Sequence, residues 1–429
     1  MVGTAFLAAS VQAQTASVES TDAAAPPADA PINPIPDYSG DLGIRPALTG
    51  DWGGSRSSLA DKGVQFELSL VETWQGVVDG GLDSGFESVG SLEYGLRLDF
   101  QKMGVWPGAT LYVRGESRFG NSVNTETGSL VPVNTDALFP VPGEDSSALT
   151  DFNLTQFLSP SLAVIIGKFN TLNGDINEFA HGRGENQFMN LAFVANPITL
   201  RTIPYSGLGA ALLILPTPDS SISFTVIDAE GQPDESGFDT IFNGATAYGL
   251  EARTATNFFD RPGHQLVGVT WSSRDFLNLE QDPRIILNIL PNVTIAPEED
   301  DGAWSVYYNF DQYVWQDETS GRGWGLFGRL GYADPDTNPI EFMASIGVGG
   351  TGPFESRPRD TFGIGYYALY GSDDIPGFLN IDDTAGMEAF YNVEVTPALH
   401  VTLDVQLIDP GALGADDAVI FGVRVKAVF

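Results

Sequence analysis

The sequence predicts an all-β protein, a transmembrane antiparallel β-barrel of about 16 strands. Three observations support this fold class. Apolar and polar residues alternate along most of the chain from residue 64 onward, which is the periodicity of a strand with two unlike faces. Charged residues make up only 18 % of the 429 residues, below the roughly 25 % typical of soluble domains. Long and short connections alternate between these segments, as in barrels that span an outer membrane.

The alternation is clearest in residues 92–100 and 399–407. In the first of these, one face carries Leu, Tyr and Phe, and the other carries Glu, Gly, Arg and Asp. Candidate strands begin near Val64, Leu92, Ala109, Leu149, Leu162, Leu208, Ser221, Ala247, Gln265, Ala303, Trp324, Ile340, Phe362, Met387, Leu399 and Ala418. Their number is even, as bacterial outer-membrane barrels require.

The connections between these strands predict two different rims. Long stretches are expected at about residues 75–90, 118–148 and 170–207, and short ones separate them. The rhythm weakens in the C-terminal half, where residues 333–339 are short on the long-loop side. A soluble β-sandwich has no reason to keep such a rhythm, so the pattern favours the barrel.

The N-terminal region is predicted to lie outside the barrel. Residues 1–13 resemble the end of a signal peptide, with a small-residue cleavage site at residues 11–13. Residues 14–47 are rich in Ala, Pro and Asp and predict a disordered periplasmic linker, followed by the barrel domain at 48–429. Ser55 to Lys62, stopped by Gly63, predicts a short helical segment at the periplasmic mouth, anchored by Trp52 and Arg56.

The polar faces of the strands carry many charges. Strand parity directs to the lumen Glu67, Glu93, Arg97, Asp99, Tyr112, Arg114, Glu116, Glu251, Arg253, Asp311, Arg329, Glu341, Glu394, Asp404, Arg424 and Lys426. In a dry core each charge would cost several kcal/mol. A barrel of about 16 to 18 strands leaves an aqueous channel that hydrates them. The sequence therefore predicts a water-filled lumen.

Composition argues against several other functions. The net charge of −36, from 20 basic and 56 acidic residues, argues against binding to nucleic acid. The chain has no cysteine, and its three histidines lack metal-ligand spacing, so no metal or cofactor is expected. An enzyme is not expected either, because there is no nucleophile elbow and His400 points inward by parity.

Several segments together carry a family resemblance, namely residues 48–56 (LTGDWGGSR), 62–66 (KGVQF), 190–193 (NLAF), 357–366 (RPRDTFGIGY), 388–391, 397–399, 406–411 and 417–424. They resemble the carbohydrate-selective porins (the OprB family). The resemblance implies a monomeric barrel in the bacterial cell outer membrane, whose inward-folded loops narrow the pore. It implies passive, selective diffusion of glucose-like mono- or oligosaccharides. The alternating C-terminal segment that ends at Phe429 resembles the signal read by the barrel-assembly machinery.

Arginines, carboxylates and aromatic rings together suit the hydroxyls and flat faces of sugars. Arg97 and Arg114 are predicted to lie on neighbouring strands, close to several carboxylates. The pore-lining or sugar-binding candidates are Glu93, Arg97, Asp99, Tyr112, Arg114, Glu116, Arg253 and Arg329, and the constriction-loop candidates are His181, Arg183 and Glu185. For each residue, ordinary lumen lining is the alternative. For the protein, the alternatives are a general porin, a porin for another small polar solute and, third, a structural barrel.

Overall fold

The computed structural model describes residues 32–141, 143, 145–241, 244–281, 296–317, 319–375, 383–412 and 414–429. Its strands form one closed barrel in which each strand pairs antiparallel with its neighbours in the chain, and β1 pairs with β16. The strands are β1 Val64–Gly81, β2 Gly85–Asp99, β3 Ala109–Gly120, β4 Ser146–Ser159, β5 Leu162–Asn170, β6 Ser206–Thr217, β7 Ser220–Asp228, β8 Thr246–Phe258, β9 Arg261–Leu277, β10 Glu299–Asp317, β11 Arg322–Ala333, β12 Ile340–Thr351, β13 Thr361–Gly371, β14 Thr384–Thr396, β15 Leu399–Asp409 and β16 Asp416–Val428. The predicted fold class is confirmed, and each predicted starting residue lies in the corresponding strand.

The outer face of the barrel is apolar and carries an aromatic belt. Tyr248, Trp271, Trp304 and Tyr332 are all exposed on this face. The ring centroids of Tyr248 and Trp271 are 5.6 Å apart, and those of Trp304 and Tyr332 are 5.7 Å apart. Such belts lie at the boundary between hydrocarbon and water, so the outer face is built to contact lipid. In the described part of the chain, no helix is both long and apolar enough to cross a membrane.

The two rims differ as expected. Short turns at 160–161, 218–219, 259–260 and 397–398 mark the periplasmic end, by the rule for such barrels. The extracellular end carries the segments 121–145 and 171–205, here called the second loop and the third loop. These correspond to the predicted stretches 118–148 and 170–207.

The predicted long stretch at 75–90 is wrong. Strand β1 continues to Gly81 and β2 begins at Gly85, so only residues 82–84 join them. The lumen-facing Val77 packs in one apolar cluster with Val123 of the second loop, so the usual polar residue is missing from that face. The alternation that identifies a strand is therefore lost where a loop covers the inner wall.

The third loop lies inside the barrel. It contains the short helix α2, Leu191–Val194, whose start is capped by the Asn190 side chain. Phe188 and Phe193 are fully buried, and they pack against Phe327 and Tyr367 of the inner wall. Wall glycines make room for the loop. A Cβ atom at Gly349, Gly363 or Gly365 would lie 2.6, 2.7 or 2.5 Å from Phe179, Phe188 or Phe193, respectively.

Lumen charges on this side are buried and bind the third loop. Glu388 accepts hydrogen bonds from the backbone N–H groups of Met189 and Asn190, at 2.5 and 2.9 Å. Arg424 donates to the carbonyl oxygens of Gly184 and of Gln187, the latter at 2.8 Å. The predicted water-filled lumen is therefore narrower than strand parity alone indicates, because part of the inner wall is covered by the third loop. Along β11–β14 the wall is covered, and its charges are satisfied by backbone groups rather than by bulk water.

The predicted helical segment is present at the periplasmic mouth as α1, Ser55–Asp61. Gly63 ends it with φ of 88°, and its N–H donates to Ala60. Arg56 donates to the carbonyl oxygen of Phe66 at 3.0 Å, and its guanidinium lies 4.1 Å from the Tyr38 ring centroid. Tyr38 is buried although it lies within the predicted disordered linker, and together with Ile35 and Ala47 it packs against Ala60 of α1. The predicted signal peptide and residues 14–31 of the linker lie outside the described residues.

Candidate functional site

Arg183 extends from the third loop toward the wall formed by β2 and β3. It lies between Gly182 and Gly184, and all three residues have left-handed φ angles of 86, 61 and 81°. Glycine tolerates this conformation, whereas arginine adopts it at a cost. Such strain is maintained only where surrounding contacts hold it, and it is frequent at functional sites.

Those contacts are carboxylates from wall and loop. Arg183 Nη2 lies 3.1 Å from Glu93 Oε1 and 2.9 Å from Glu116 Oε1, and Nε lies 3.4 Å from Glu185 Oε1. Arg114 lies 2.9 Å from Glu116 and 3.0 Å from Asp151. We call Glu93, Arg114, Glu116, Arg183 and Glu185 the constriction cluster, because it joins the inserted loop to the opposite wall.

Two carboxyl groups of the loops have shifted pKa values, Glu185 within this cluster and Asp136 beside it. Burial opposes ionisation of Glu185, but Lys426, at 2.7 Å, and Arg183 outweigh it and lower its pKa to about 2. Asp136 of the second loop accepts hydrogen bonds from Ser91 Oγ at 2.7 and 2.9 Å. Burial and then the charge of Glu185 raise the pKa of Asp136 to about 7. A polar recess between the loops and the wall is lined by Ser91, Glu93, Glu116, Ser117, Thr135, Asp136, Phe139, Leu172 and Arg183.

A second group of candidates lies nearer the periplasmic end of β2 and β3. Arg97 Nε donates to Glu67 Oε1 at 2.5 Å, and its guanidinium lies 3.9 Å from the centroid of the Tyr112 ring. The Tyr112 hydroxyl donates to Glu67 Oε2 at 3.2 Å. The Glu67 side chain is 42 % exposed, so this Arg97 cluster is open to the lumen.

The remaining candidates are elsewhere. Asp99 accepts hydrogen bonds from the N–H groups of Ile32 and Lys102, at the turn after β2. Arg329 lies behind the third loop, fully buried. Arg253 is on β8, about a third of the circumference away. Burial, followed by the charge of Arg329, lowers the pKa of His181 to about 3, so its imidazole is neutral.

Some residues of the site were missed at the level of sequence. The Tyr205 hydroxyl donates to Glu116 Oε2 at 2.5 Å and accepts from Arg183 Nη2 at 2.7 Å. Tyr205 and Asp136 lie in loops without periodicity, so no pattern indicates where they point. Asp151 lies beside an irregularity in the pairing of β3 with β4, which breaks the parity rule.

Chemically, both clusters offer planar guanidinium donors beside carboxylate acceptors, and the Arg97 cluster adds an aromatic face. This combination can exchange hydrogen bonds with the neighbouring hydroxyls of a sugar and pack against its ring. Within the described ranges, no group of three or more potential metal ligands is found. The geometry is that of a narrowed, polar passage.

Comparison with known proteins gives the same interpretation. The model of the family described as "Carbohydrate-selective porin, OprB family" matches residues 84–429. Porin B of Pseudomonas aeruginosa is 24 % identical, over 89 % of this chain and 91 % of that protein. A putative porin, QuiX, of Acinetobacter baylyi is 23 % identical, over 89 % of this chain and 93 % of that protein.

Among solved structures, the high-pH structure of Pseudomonas putida OprB superimposes with a TM-score of 0.80 at 23 % identity. The match covers 91 % of this chain and 100 % of that one, so the two share the barrel fold. The family match spans most of the chain, and the closed barrel has a lipid-facing outer surface. The chain therefore belongs to the OprB family of carbohydrate-selective porins, which are sugar channels of the bacterial outer membrane.

Proposed function

We propose that the chain mediates passive diffusion of glucose-like mono- or oligosaccharides, with selection at the constriction cluster. The observation that carries the proposal is Arg183, which is held in a strained conformation by Glu93, Glu116 and Glu185. A sugar entering from outside meets this cluster first and the Arg97 cluster next. In each cluster, an arginine that donates hydrogen bonds lies beside a carboxylate that accepts them.

The charges of the constriction cluster favour neutral solutes. Arg183 and Arg114 are each already paired with more than one carboxylate. An anion would compete with these carboxylates, whereas a neutral hydroxyl can both donate and accept without displacing a charge. This distinguishes the proposed sugar channel from an anion pore.

Two further proposals concern the whole chain. We propose a monomeric channel, as the family resemblance implies; the strands close on themselves and the ion pairs of the passage are complete within one barrel, so the passage does not require a second chain. The C-terminal strand ends at Val428, and the N–H of Phe429 donates to Leu68 of β1 at 2.9 Å. The C-terminal residue thus lies at the closing seam of the barrel. This position supports its recognition by the barrel-assembly machinery during insertion.

The proposal is tested by single-channel recording in planar bilayers, with glucose and maltose titrated against the ion current. We expect concentration-dependent block by both sugars and none by glycine at the same concentration. Arg183→Ala should weaken the block about ten-fold, because hydrogen bonds to a charged group are lost, and should raise the ion conductance.

The matched control is Arg359→Ala. Arg359 is 56 % exposed near the periplasmic rim, where it forms a 2.6 Å ion pair with Glu394. Its replacement by alanine should leave the block by sugars unchanged. An ion current that neither sugar changes would reject sugar selection, and the alternative of a general porin would remain. Equal block in Arg183→Ala and in the wild type would reject the assignment to the constriction cluster.

A further inference from the structure

Arg253 on β8 differs from the other lumen arginines. It is 9 % exposed, and its Nε is buried without a hydrogen-bond partner. In the part of the chain that the structure describes, no ion pair or hydrogen bond to its guanidinium is found. By contrast, Arg97, Arg114 and Arg183 are paired with carboxylates. A buried guanidinium with free donors is costly unless a ligand or solvent uses them.

The surroundings of Arg253 are acidic. The charges that act on it most strongly are those of Asp311, Glu178 and Glu251, in that order. Each of these carboxylates has another partner. Asp311 lies 2.8 Å from His264 Nδ1, and Glu178 Oε1 accepts from the Tyr313 hydroxyl at 2.8 Å. Asp311 and Glu178 alone outnumber the one guanidinium, so the local charge is negative and repels anions.

Part of this group is open to the lumen. Glu178, from the third loop, is exposed, and the side chain of His264 is 22 % exposed. Tyr313 is half-buried, and its ring lies edge-on to Phe179 at 4.8 Å. Arg253 and His264 lie toward the turn 259–260, which places the group on the periplasmic side of the third loop.

The group mirrors the Arg97 cluster. Both combine an arginine, a tyrosine and a carboxylate, and both lie toward the periplasmic end. In the closed order of strands, β8–β10 lie about half the circumference from β1–β3. The two groups therefore face each other across the exit of the passage.

We propose that Arg253, Glu178 and Tyr313 form a second sugar subsite, which takes a neutral pyranose on the periplasmic side of the constriction. Arg253 donates to one ring hydroxyl, while the adjacent hydroxyl donates to Glu178, and the Tyr313 ring covers the apolar face of the sugar. The negative surroundings exclude sugar acids. The subsite rests on the proposed function, since it needs a channel through which sugars pass.

The test is current block by glucose added separately to each side of an oriented channel. Loss of one or two hydrogen bonds in Arg253→Ala, and separately in Glu178→Gln, should weaken block from the periplasmic side about five-fold. Block from the extracellular side, where the constriction cluster is met first, should change less than about two-fold. The control Arg261→Ala removes an arginine from the start of β9 and should leave both values unchanged.

Glucuronate serves as the anionic probe and should not block from the periplasmic side. Unchanged periplasmic block by glucose in both variants would overturn the proposal, as would glucuronate block equal to that of glucose. If Arg253→Ala does not fold, Glu178→Gln alone tests the proposal, because Glu178 is exposed and its replacement should not prevent folding. Absence of sugar block from both sides of the wild-type channel would instead reject the proposed function.

Discussion

Replacing Arg329 by alanine should loosen the third loop without opening the barrel. The Arg329 side chain is fully buried and donates to Asp175 Oδ2 at 2.6 Å, Phe193 O at 2.7 Å and Ala180 O at 2.7 Å. These acceptors all belong to the third loop. The backbone hydrogen bonds of β11 do not involve the Arg329 side chain, so the barrel itself should remain closed.

The magnitude follows from what the substitution leaves unpaired. Removing one partner of a buried ion pair typically costs about 3–5 kcal/mol. Asn309 still donates to Asp175 Oδ1 at 2.6 Å, so the lower end, about 3 kcal/mol, applies here. This corresponds to roughly a hundred-fold increase in the undocked fraction of the loop. Glu388 and Arg424 still hold other parts of the loop, so undocking should be transient.

The assay combines single-channel recording with liposome swelling in oligosaccharides of increasing length. We expect brief levels of higher conductance and entry of sugars that the wild type excludes. The control is Arg322→Ala on the same strand, because Arg322 donates to the carbonyl oxygen of Gly352 at 2.8 Å and pairs with Glu355, both in the turn after β12 and outside the third loop. A folded Arg329→Ala barrel with wild-type current levels and size limit would refute the anchoring role.

Three further predictions follow from the packing and the charges. Gly365→Ala would place Cβ 2.5 Å from the Phe193 ring and should destabilise the docked third loop by about 1–3 kcal/mol, which is measured as faster proteolysis of that loop. The control Gly371→Ala on the same strand should leave proteolysis unchanged. Asp136 has its pKa raised to about 7 in the docked loop, so its contribution to docking is complete below about pH 4 and is lost as pH rises through 7. Cation selectivity, read from reversal potentials, should therefore increase between pH 5 and pH 8, and Asp136→Asn should abolish this change; the same increase in the variant would contradict it. Deleting Phe429 removes only one backbone hydrogen bond from the seam, so the barrel should still refold in detergent. The amount of barrel inserted into the outer membrane of cells should nevertheless fall several-fold. Equal insertion of the variant and the wild type would argue against recognition of this residue.

Strand positions could be predicted because alternation is a local signal, imposed by the two faces of each strand. The signal failed at the β1–β2 connection, where Val77 is covered by the second loop and the inner face is no longer polar. It also could not distinguish a hydrated lumen charge from a buried anchor. Parity placed Arg97 and Arg329 on the same face, yet only Arg97 lies at the open passage.

The candidate site was only partly accessible from sequence. The association of Arg183 with Glu93 and Glu116 depends on how a long loop returns to the wall, and no periodicity determines that path. Tyr205 and Asp136 were missed for the same reason. The flanking glycines of Arg183 were visible in the sequence, but their left-handed conformation is a property of the folded loop.

Because the third loop is inserted along β11–β14, the narrow part of the channel (the aperture) and the barrel wall (the tube) are separate structures. The tube is held by strand pairing and lipid, whereas the aperture is held by a few polar anchors and by rings seated on glycines. We therefore expect the two to lose their order under different conditions, so that heat or salt should give a wider, less selective channel before the barrel itself unfolds. Changes in loop length or in the seating glycines can likewise alter the largest solute admitted while the number of strands stays the same.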